Sequence, residues 1–416
     1  MKKFLLVFLT FIFLVSTVSW AAAEAVTITL WGWSPWDEAF KPILPEFYKK
    51  YPNIKVDIKI MSNPDVHNKL LTSIAAGAGA PDICGIEIAQ IAKFASKGGL
   101  VDLLKPPFNA GKYEKIVVPY KWYESLTSDG RLIAFPWDIG PAAVFYRRDL
   151  FQKAGLPSDP ASIQKLLSTW DKYIETGKKI TIPGKQWIIE NASSIFYIYY
   201  AHQDFFDKEG KVAVDSPRAL KALTIAKKVR ELGLDAKVSM WTPEWQALIP
   251  DGKIATQIVG CWFGGFLKTW LDPNGAGKWG IVPIPETPGL NWGGSNLAIP
   301  EQSKHKEEAW KFIEFALARK ASQIAIYKAV DFFPALTTAW NDPIFYEPDP
   351  YFGGQKQRLL FINIAKQTPI PVVNPNDPMA ESILMQHVAN CLDQGIDPAK
   401  VLKDAADEIR EKAGIK

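Results

Sequence analysis

The chain has 416 residues, of which 48 are Lys or Arg and 44 Asp or Glu, giving a formal net charge of +4, and it carries 16 tryptophans. The charge is spread without a basic tract, about +2 once Lys2 and Lys3 are removed, which argues against nucleic acid as a partner. Four histidines and three cysteines stand apart, with no His-x-x-x-His or Cys-x-x-Cys spacing and no phosphate-cradling Gly-x-x-x-x-Gly-Lys-Ser/Thr loop, so no metal, no cofactor and no nucleotide hydrolysis are expected.

Lys2 and Lys3 precede an apolar run, Phe4–Val18, which ends at the small residues Ala21, Ala22 and Ala23. This layout predicts a secretory signal peptide over residues 1–23, cleaved before Glu24 or, as second choice, before Val26. No cysteine lies near the cleavage site, so no lipid anchor is expected, and the exported chain should be soluble. About 390 residues remain, which suits two lobes better than one core. Export permits a Cys261–Cys391 disulfide, but three widely spaced cysteines fit buried free thiols better.

From Val26 onward, strand and helix alternate. Val26, Ile28 and Leu30 face one way and Thr27 and Thr29 the other; a Trp-rich loop, Trp31–Trp36, and a helix through Phe40, Leu44, Phe47 and Tyr48 follow. Ile54, Val56, Ile58 and Ile60 mark a second strand, Asn68–Ala76 a helix, Pro81–Cys84 a short buried strand, and Ile88–Ser96 a helix stopped by Gly98 and Gly99. This pitch predicts an α/β lobe around a largely parallel sheet. Arg131–Trp137 and Ala143–Tyr146 read as strands on either side of a turn at Asp138–Pro141, with helical spacing through Ile163, Leu166, Leu167, Trp170 and Ile174 beyond. Ser216-Pro217 and Thr242-Pro243 each start a helix with a capping hydroxyl and a preset φ. Lys253–Val259, Trp279–Ile284 and Asn296–Ile299 read as strands, Glu307–Ala318 as an amphipathic helix, Asn341–Tyr351 as a connector, and Asp377–Leu392 and Pro398–Lys412 as closing helices.

Many tryptophans, among them Trp31, Trp33, Trp36, Trp137, Trp262 and Trp292, sit beside Gly, Pro or polar residues rather than in apolar runs. An indole does best with one face covered and its N–H paired. A pyranose, with flat C–H faces and a rim of hydroxyls, meets both needs, as does ordinary core packing.

Five stretches then occur in a telling order: Ile28–Trp36; Ala78–Asp82; Gly98–Leu103; Gly130–Leu156, with Pro136-Trp137-Asp138 and Tyr146–Leu150; and Gly293–Pro300 followed by Lys304–Trp310. Together they resemble the bacterial extracellular solute-binding proteins of ABC importers, in the sugar-binding branch that includes the maltose-binding proteins. The resemblance implies two α/β lobes with ligand in the cleft between them. The chain would cross near Trp137–Gly140, Pro288–Gly294 and Phe333–Ile344, giving an N-terminal lobe of 24–137 with 294–335 and a C-terminal lobe of 138–293 with 336–416. It implies capture of a sugar, oligosaccharide or polyol in the periplasm by a monomer that delivers it to membrane permease subunits. Closure by hinge motion is the repertoire of such proteins.

A sugar site needs carboxylates and amides beside Trp or Tyr at loop ends. Trp33 and Trp36 fit the stacking role, Glu87 accepts hydroxyls at the sheet edge, and Asp138, between Trp137 and Gly140, is the leading carboxylate. Asp82 is a candidate that equally fits local capping, and Asp138 could also simply form a turn. Gly260 and Trp262 follow a strand, where glycine lets backbone approach a ligand. Trp292, Gly294, Ser295 and Asn296 lie at the return crossing, and Phe332 offers a last aromatic wall, though core packing suits Phe332 or Phe333 as well. Trp241 and Trp245 fit cleft or packing equally. The competing class is a secreted glycoside hydrolase using paired carboxylates, for which Asp138 and Glu87 are imaginable, but no motif pairs them. A charged ligand would call for an Arg clamp; Arg147 and Arg148 end a strand, and an anionic uronic-acid oligomer stays open.

Overall fold

A computed structural model describes residues 24–200 and 205–415; the signal sequence read at 1–23 lies outside them. The described residues contain ten strands: β1 (Val26–Gly32), β2 (Ile54–Ile60), β3 (Ile83–Glu87), β4 (Phe135–Pro136), β5 (Asp138–Ile139), β6 (Ala142–Arg147), β7 (Thr256–Gly260), β8 (Trp279–Val282), β9 (Ser295–Ala298) and β10 (Phe333–Pro334). Five form a first sheet in the order β2-β1-β3-β9-β4, and three a second in the order β7-β6-β8. No described helix is long and apolar enough to cross a membrane.

In the first sheet β1 runs parallel to β2 and β3, as strand–helix alternation dictates, with Leu30 opposite Ile83. β9 enters antiparallel between β3 and β4. The helix Asn63–Ala76 carries the chain from β2 to β3; Ser62 caps it by accepting from the Asp65 N–H, and Gly77, at φ 70°, ends it. The second sheet is antiparallel throughout, β6 at its centre.

Between the sheets, β5 pairs antiparallel with β10, Asp138 opposite Pro334. The chain leaves the first sheet at β4, passes through β5 and enters the second at β6; it returns from β8 to β9 through residues 283–294. Among the described residues, apolar side chains gather into three clusters. One, with Val66, Leu70 and Phe94, covers one face of the first sheet. A second covers the other face and continues past Trp137, Ile139 and Phe333 to Phe145, Val259 and Phe263. The third, with Val144, Tyr173 and Phe196, covers the far face of the second sheet.

Several expectations change: the helix expected through Phe40 to Tyr48 is two, Trp36–Phe40 and Leu44–Lys50, and the turn expected at Asp138–Pro141 begins as β5. The strand expected over Arg131–Trp137 shrinks to β4, because the Leu132 N–H goes to the Asp102 carboxylate and the Ile133 N–H to the Ser125 carbonyl instead of to a neighbouring strand. The connector Asn341–Tyr351 is a string of tight 3₁₀ turns, Thr337–Asn341, Pro343–Tyr346 and Pro350–Phe352, the latter two capped by Asp342 and Asp349. A helix at Gln357–Gln367 follows that periodicity did not reveal. All three cysteines are buried free thiols.

Candidate ligand-binding site

The carboxyl ends of β1 and β3 meet the start of β9 at one edge of the first sheet, Glu87 opposite Ser295. Open α/β sheets bind ligands outside such strand ends. Facing this edge across a cavity of about 170 Å³ stand Tyr197 and Phe196 of the helix Ala192–Tyr200, Glu381 of the helix Asp377–Gln394, and Trp292 and Gly293 of the return crossing.

The polar floor comes from a short helix, Pro119–Glu124, opened by proline at its first turn. Lys121 and Glu124, three apart, lie on one face of it. Lys121 is fully buried and Glu124, which lines the cavity, is 6 % exposed. Their charged atoms stand 4.0 Å apart, and neither Lys121 Nζ nor Glu124 Oε2 has a hydrogen-bond partner among the described residues. Burial pushes the Glu124 carboxyl up to about 7, with Lys121 pulling it down and Glu87 pushing it up. Glu87 is likewise pushed up to about 7 by burial; the Ala89 N–H and Lys121 oppose this, while Glu381 and Asp138 add to it. Asp138 rises to about 6, again through burial, against Lys121 and Ser295. Glu381 is raised by burial and lowered by its hydrogen bond from the Tyr197 hydroxyl. Three carboxyls, Glu87, Glu124 and Asp138, thus crowd one buried ammonium, with Glu381 next to Glu87.

Behind Glu87 sits His67. The Glu87 N–H donates to His67 Nε2 at 3.0 Å while Nδ1 faces the Asn63 carbonyl at 2.8 Å, so the neutral Nδ1–H tautomer satisfies both. Burial lowers its pKa to about 4, which keeps the ring neutral. Trp33, half-buried, covers His67 at 5.5 Å between ring centroids.

Residues 33–323 match the family described as bacterial extracellular solute-binding protein. The chain belongs to that family. It is 26 % identical over 383 residues to the arabinooligosaccharide-binding protein of Bacillus subtilis (strain 168), covering 84 % of each chain. To the lactose-binding protein of Rhizobium radiobacter it is 28 % identical over 381 residues, covering 85 % of each. Among solved structures it is similar to an extracellular solute-binding protein family 1 crystal structure, with TM-score 0.79, 27 % identity and coverage of 92 % of this chain and 99 % of that one. An ABC transporter associated binding protein from B. animalis subsp. lactis Bl-04 in complex with β-1,6-galactobiose gives TM-score 0.77 at 25 % identity, covering 94 % of this chain and 98 % of that one.

Within this solute-binding chain the residues picked from sequence part into two groups. Trp33, Glu87, Trp292 and Gly294 gather at the sheet edge and cavity, and Trp262 lies next to Trp292, with ring centroids 5.8 Å apart. The Trp262 indole N–H donates to the Trp292 carbonyl at 2.9 Å, so what this ring can offer a ligand is its face. Asp138 holds the crossing: its carboxylate accepts the Ser295 N–H at 2.7 Å, while the Trp137 N–H goes to the Ser295 carbonyl. Gly294, at φ 109°, is required there, since a Cβ would come within 2.5 Å of the Asp138 carbonyl and 3.2 Å of Lys121 Nζ.

The others are placed elsewhere. Trp36, Trp137 and Phe332 are core: Trp137 meets Trp36 edge-on at 4.6 Å and Phe332 at 5.5 Å, and Trp36 and Trp137 are fully buried. Asp82 sits at the opposite end of β3 from Glu87, where parallel strands begin rather than end, and its carboxylate accepts from Thr29 and Ser303. Asn296 spends its amide on the Ile86 carbonyl and Ser125. Gly260 makes room for protein, not ligand, since a Cβ would lie 2.3 Å from Trp262 Nε1. Sequence reading missed Lys121, Glu124, Tyr197, Glu381 and the pinning role of His67.

Proposed function

We propose that this chain is the periplasmic component of an ABC importer that captures a sugar or short oligosaccharide and delivers it unaltered to membrane permease subunits. The observation that carries the reading is Glu124, which lines the cavity with Tyr197 and Trp292 and whose buried Oε2 makes no hydrogen bond, 4.0 Å from the equally unbonded Nζ of Lys121. Buried charged groups left without hydrogen bonds cost free energy even when loosely paired, so such a pair is kept where a ligand completes its bonds. A hydroxyl accepts from an ammonium and donates to a carboxylate at once, and a pyranose or furanose presents several. Its apolar faces suit the rings of Tyr197 and Trp292. An anionic phosphate or carboxylate ligand would find one ammonium against several carboxyls that it would force to keep their protons, Glu87, Glu124 and Glu381 among them. The sugar-binding names of the two relatives and the galactobiose in a structural neighbour support the same class.

In this reading residues 24–137 with 294–335 and 138–293 with 336–416 form the two lobes, closing as a monomer on the ligand after export and removal of residues 1–23. A thermal-shift screen with arabino-oligosaccharides, lactose, galactobiose, monosaccharides, polyols, amino acids and uronic-acid oligomers tests it, with product analysis on each hit. An intact sugar that raises the melting temperature in a concentration-dependent way is the expected result. A cleaved sugar would move the protein to the hydrolases, and response to amino acids alone would overturn the carbohydrate reading.

A further inference from the structure

After Trp262 the chain turns through Phe263–Phe266 into a π-helical turn, Leu267–Leu271. Phe263, Leu267 and Leu271 on this stretch are core. Trp262, Phe266 and Trp270, spaced by four, run along the side that is not. Their rings touch in sequence, Trp262 to Phe266 at 5.4 Å and Phe266 to Trp270 at 5.7 Å, tilted by 53° and 55°. Trp241 closes over the same stripe, 5.5 Å from Trp262 and 6.1 Å from Phe266. At the inner end Trp262 meets Trp292, and Trp292 meets Tyr197 at 5.8 Å.

Two features of this ladder lack a packing explanation. Trp241 and Trp270 are 48 % and 45 % exposed, the most wasteful position for an indole. Trp241 also holds φ at 71°, a left-handed conformation that strains a bulky side chain and tends to persist where function requires it. The residue after it, Thr242, caps the helix Pro243–Leu248 by accepting the Trp245 N–H, and Trp245 is buried, so the strained Trp241 is fixed between an anchored helix and Trp262.

We infer that Tyr197, Trp292, Trp262, Phe266, Trp241 and Trp270 form a continuous track for an extended oligosaccharide, whose first rings occupy the cavity and whose further rings leave it over Trp262 toward Trp270. This rests on the carbohydrate reading above. A linear glycan is favoured over a protein partner because the stripe is continuous with the cavity through Trp292 and because each ring is tilted against the next, which leaves separate faces rather than one flat apolar patch. The ligand class is then oligosaccharides of three or more rings.

Isothermal titration with arabino-oligosaccharides and galacto-oligosaccharides from dimer to hexamer, on the mature protein and on Trp241→Ala and Trp270→Ala, tests the track. Each ring added along the track should tighten binding, and the long-to-short affinity ratio should shrink by about three- to tenfold in either variant. Both side chains are half-exposed, and circular dichroism checks that the variants fold. If short sugars bind but affinity does not rise with length, or if the ratio survives both substitutions, the track is overturned while the carbohydrate reading stands. If no carbohydrate of any length binds, the carbohydrate reading itself fails.

Discussion

Glu87, Glu124 and Asp138 hold protons in the fold that an unfolded chain would release. Glu124 moves from an ordinary value of 4.5 to about 7, because its charged form loses water and faces Glu87. A carboxyl raised on folding binds more protons in the native state across that interval, so its contribution favours the fold below about pH 4.5 and declines as pH rises toward 7. Glu124→Gln removes one such group. Between about pH 5 and pH 8, the unfolding free energy of the unliganded variant should therefore fall less than that of the parent, by roughly 2 kcal/mol after allowance for coupling among the three carboxyls. Urea denaturation at the two pH values measures this; equal slopes would mean that Glu124 ionises normally in the fold. Lys121→Met acts on the same cluster from the other side. It removes the cluster's buried cation, drives the carboxyls further upward and deletes a hydroxyl partner. Sugar affinity at neutral pH should drop by about tenfold or more, and the pH at which binding reaches half its maximum should rise. A variant that binds as the parent does would remove Lys121 from the site.

At the scale of elements, glycine and tryptophan are fitted to one another. Trp36 lies flat across the ends of β1 and β3, where a Cβ on Gly32 or Gly85 would stand 2.3 or 2.2 Å from its ring. Gly85→Ala must displace a fully buried indole, and overpacking of this kind costs about 1–3 kcal/mol. The urea midpoint should fall accordingly, whereas Gly130→Ala, with open space but a φ of 82°, tests strain without overpacking. A Gly85→Ala midpoint equal to the parent's would show that Trp36 can move freely. The same fit explains what sequence could and could not reveal. Alternation in Val26–Leu30 and Ile54–Ile60, and the hydroxyl–proline starts at Ser216 and Thr242, carry local physics and read correctly as strands and capped helices. Gly260 near Trp262 reads as room for a ligand, but there, as at Gly32 and Gly85, the room is filled by the protein's own indole. Lys121 and Glu124 escape notice for the opposite reason: a charged pair three apart reads as solvated surface, and only the packing of that helix against β4 and the crossing buries it. The places of Trp33 and Glu87 at the carboxyl ends of β1 and β3 were legible because the pattern sets the direction of those strands.

At the scale of the whole molecule, two sheets would ordinarily suggest two units that melt apart. The apolar cluster on the inner face of the first sheet does not stop at the crossing. It runs through Trp137, Ile139 and Phe333 into Phe145, Val259, Phe263 and Phe361 of the other half. Main-chain bonds between β5 and β10 and the Asp138–Ser295 contact lie inside this same cluster's path. Unfolding either half would therefore expose part of the core of the other, and the two should melt together. Scanning calorimetry of the unliganded protein should give one transition with calorimetric and van't Hoff enthalpies that agree. A saturating sugar at about a hundred times its Kd should shift that single peak upward, by roughly 2.7 kcal/mol of added stability, without splitting it. Two resolved peaks, or a ligand that moves only part of the heat absorption, would show that the crossing segments join the halves without coupling them; the ligand would then be held chiefly by one.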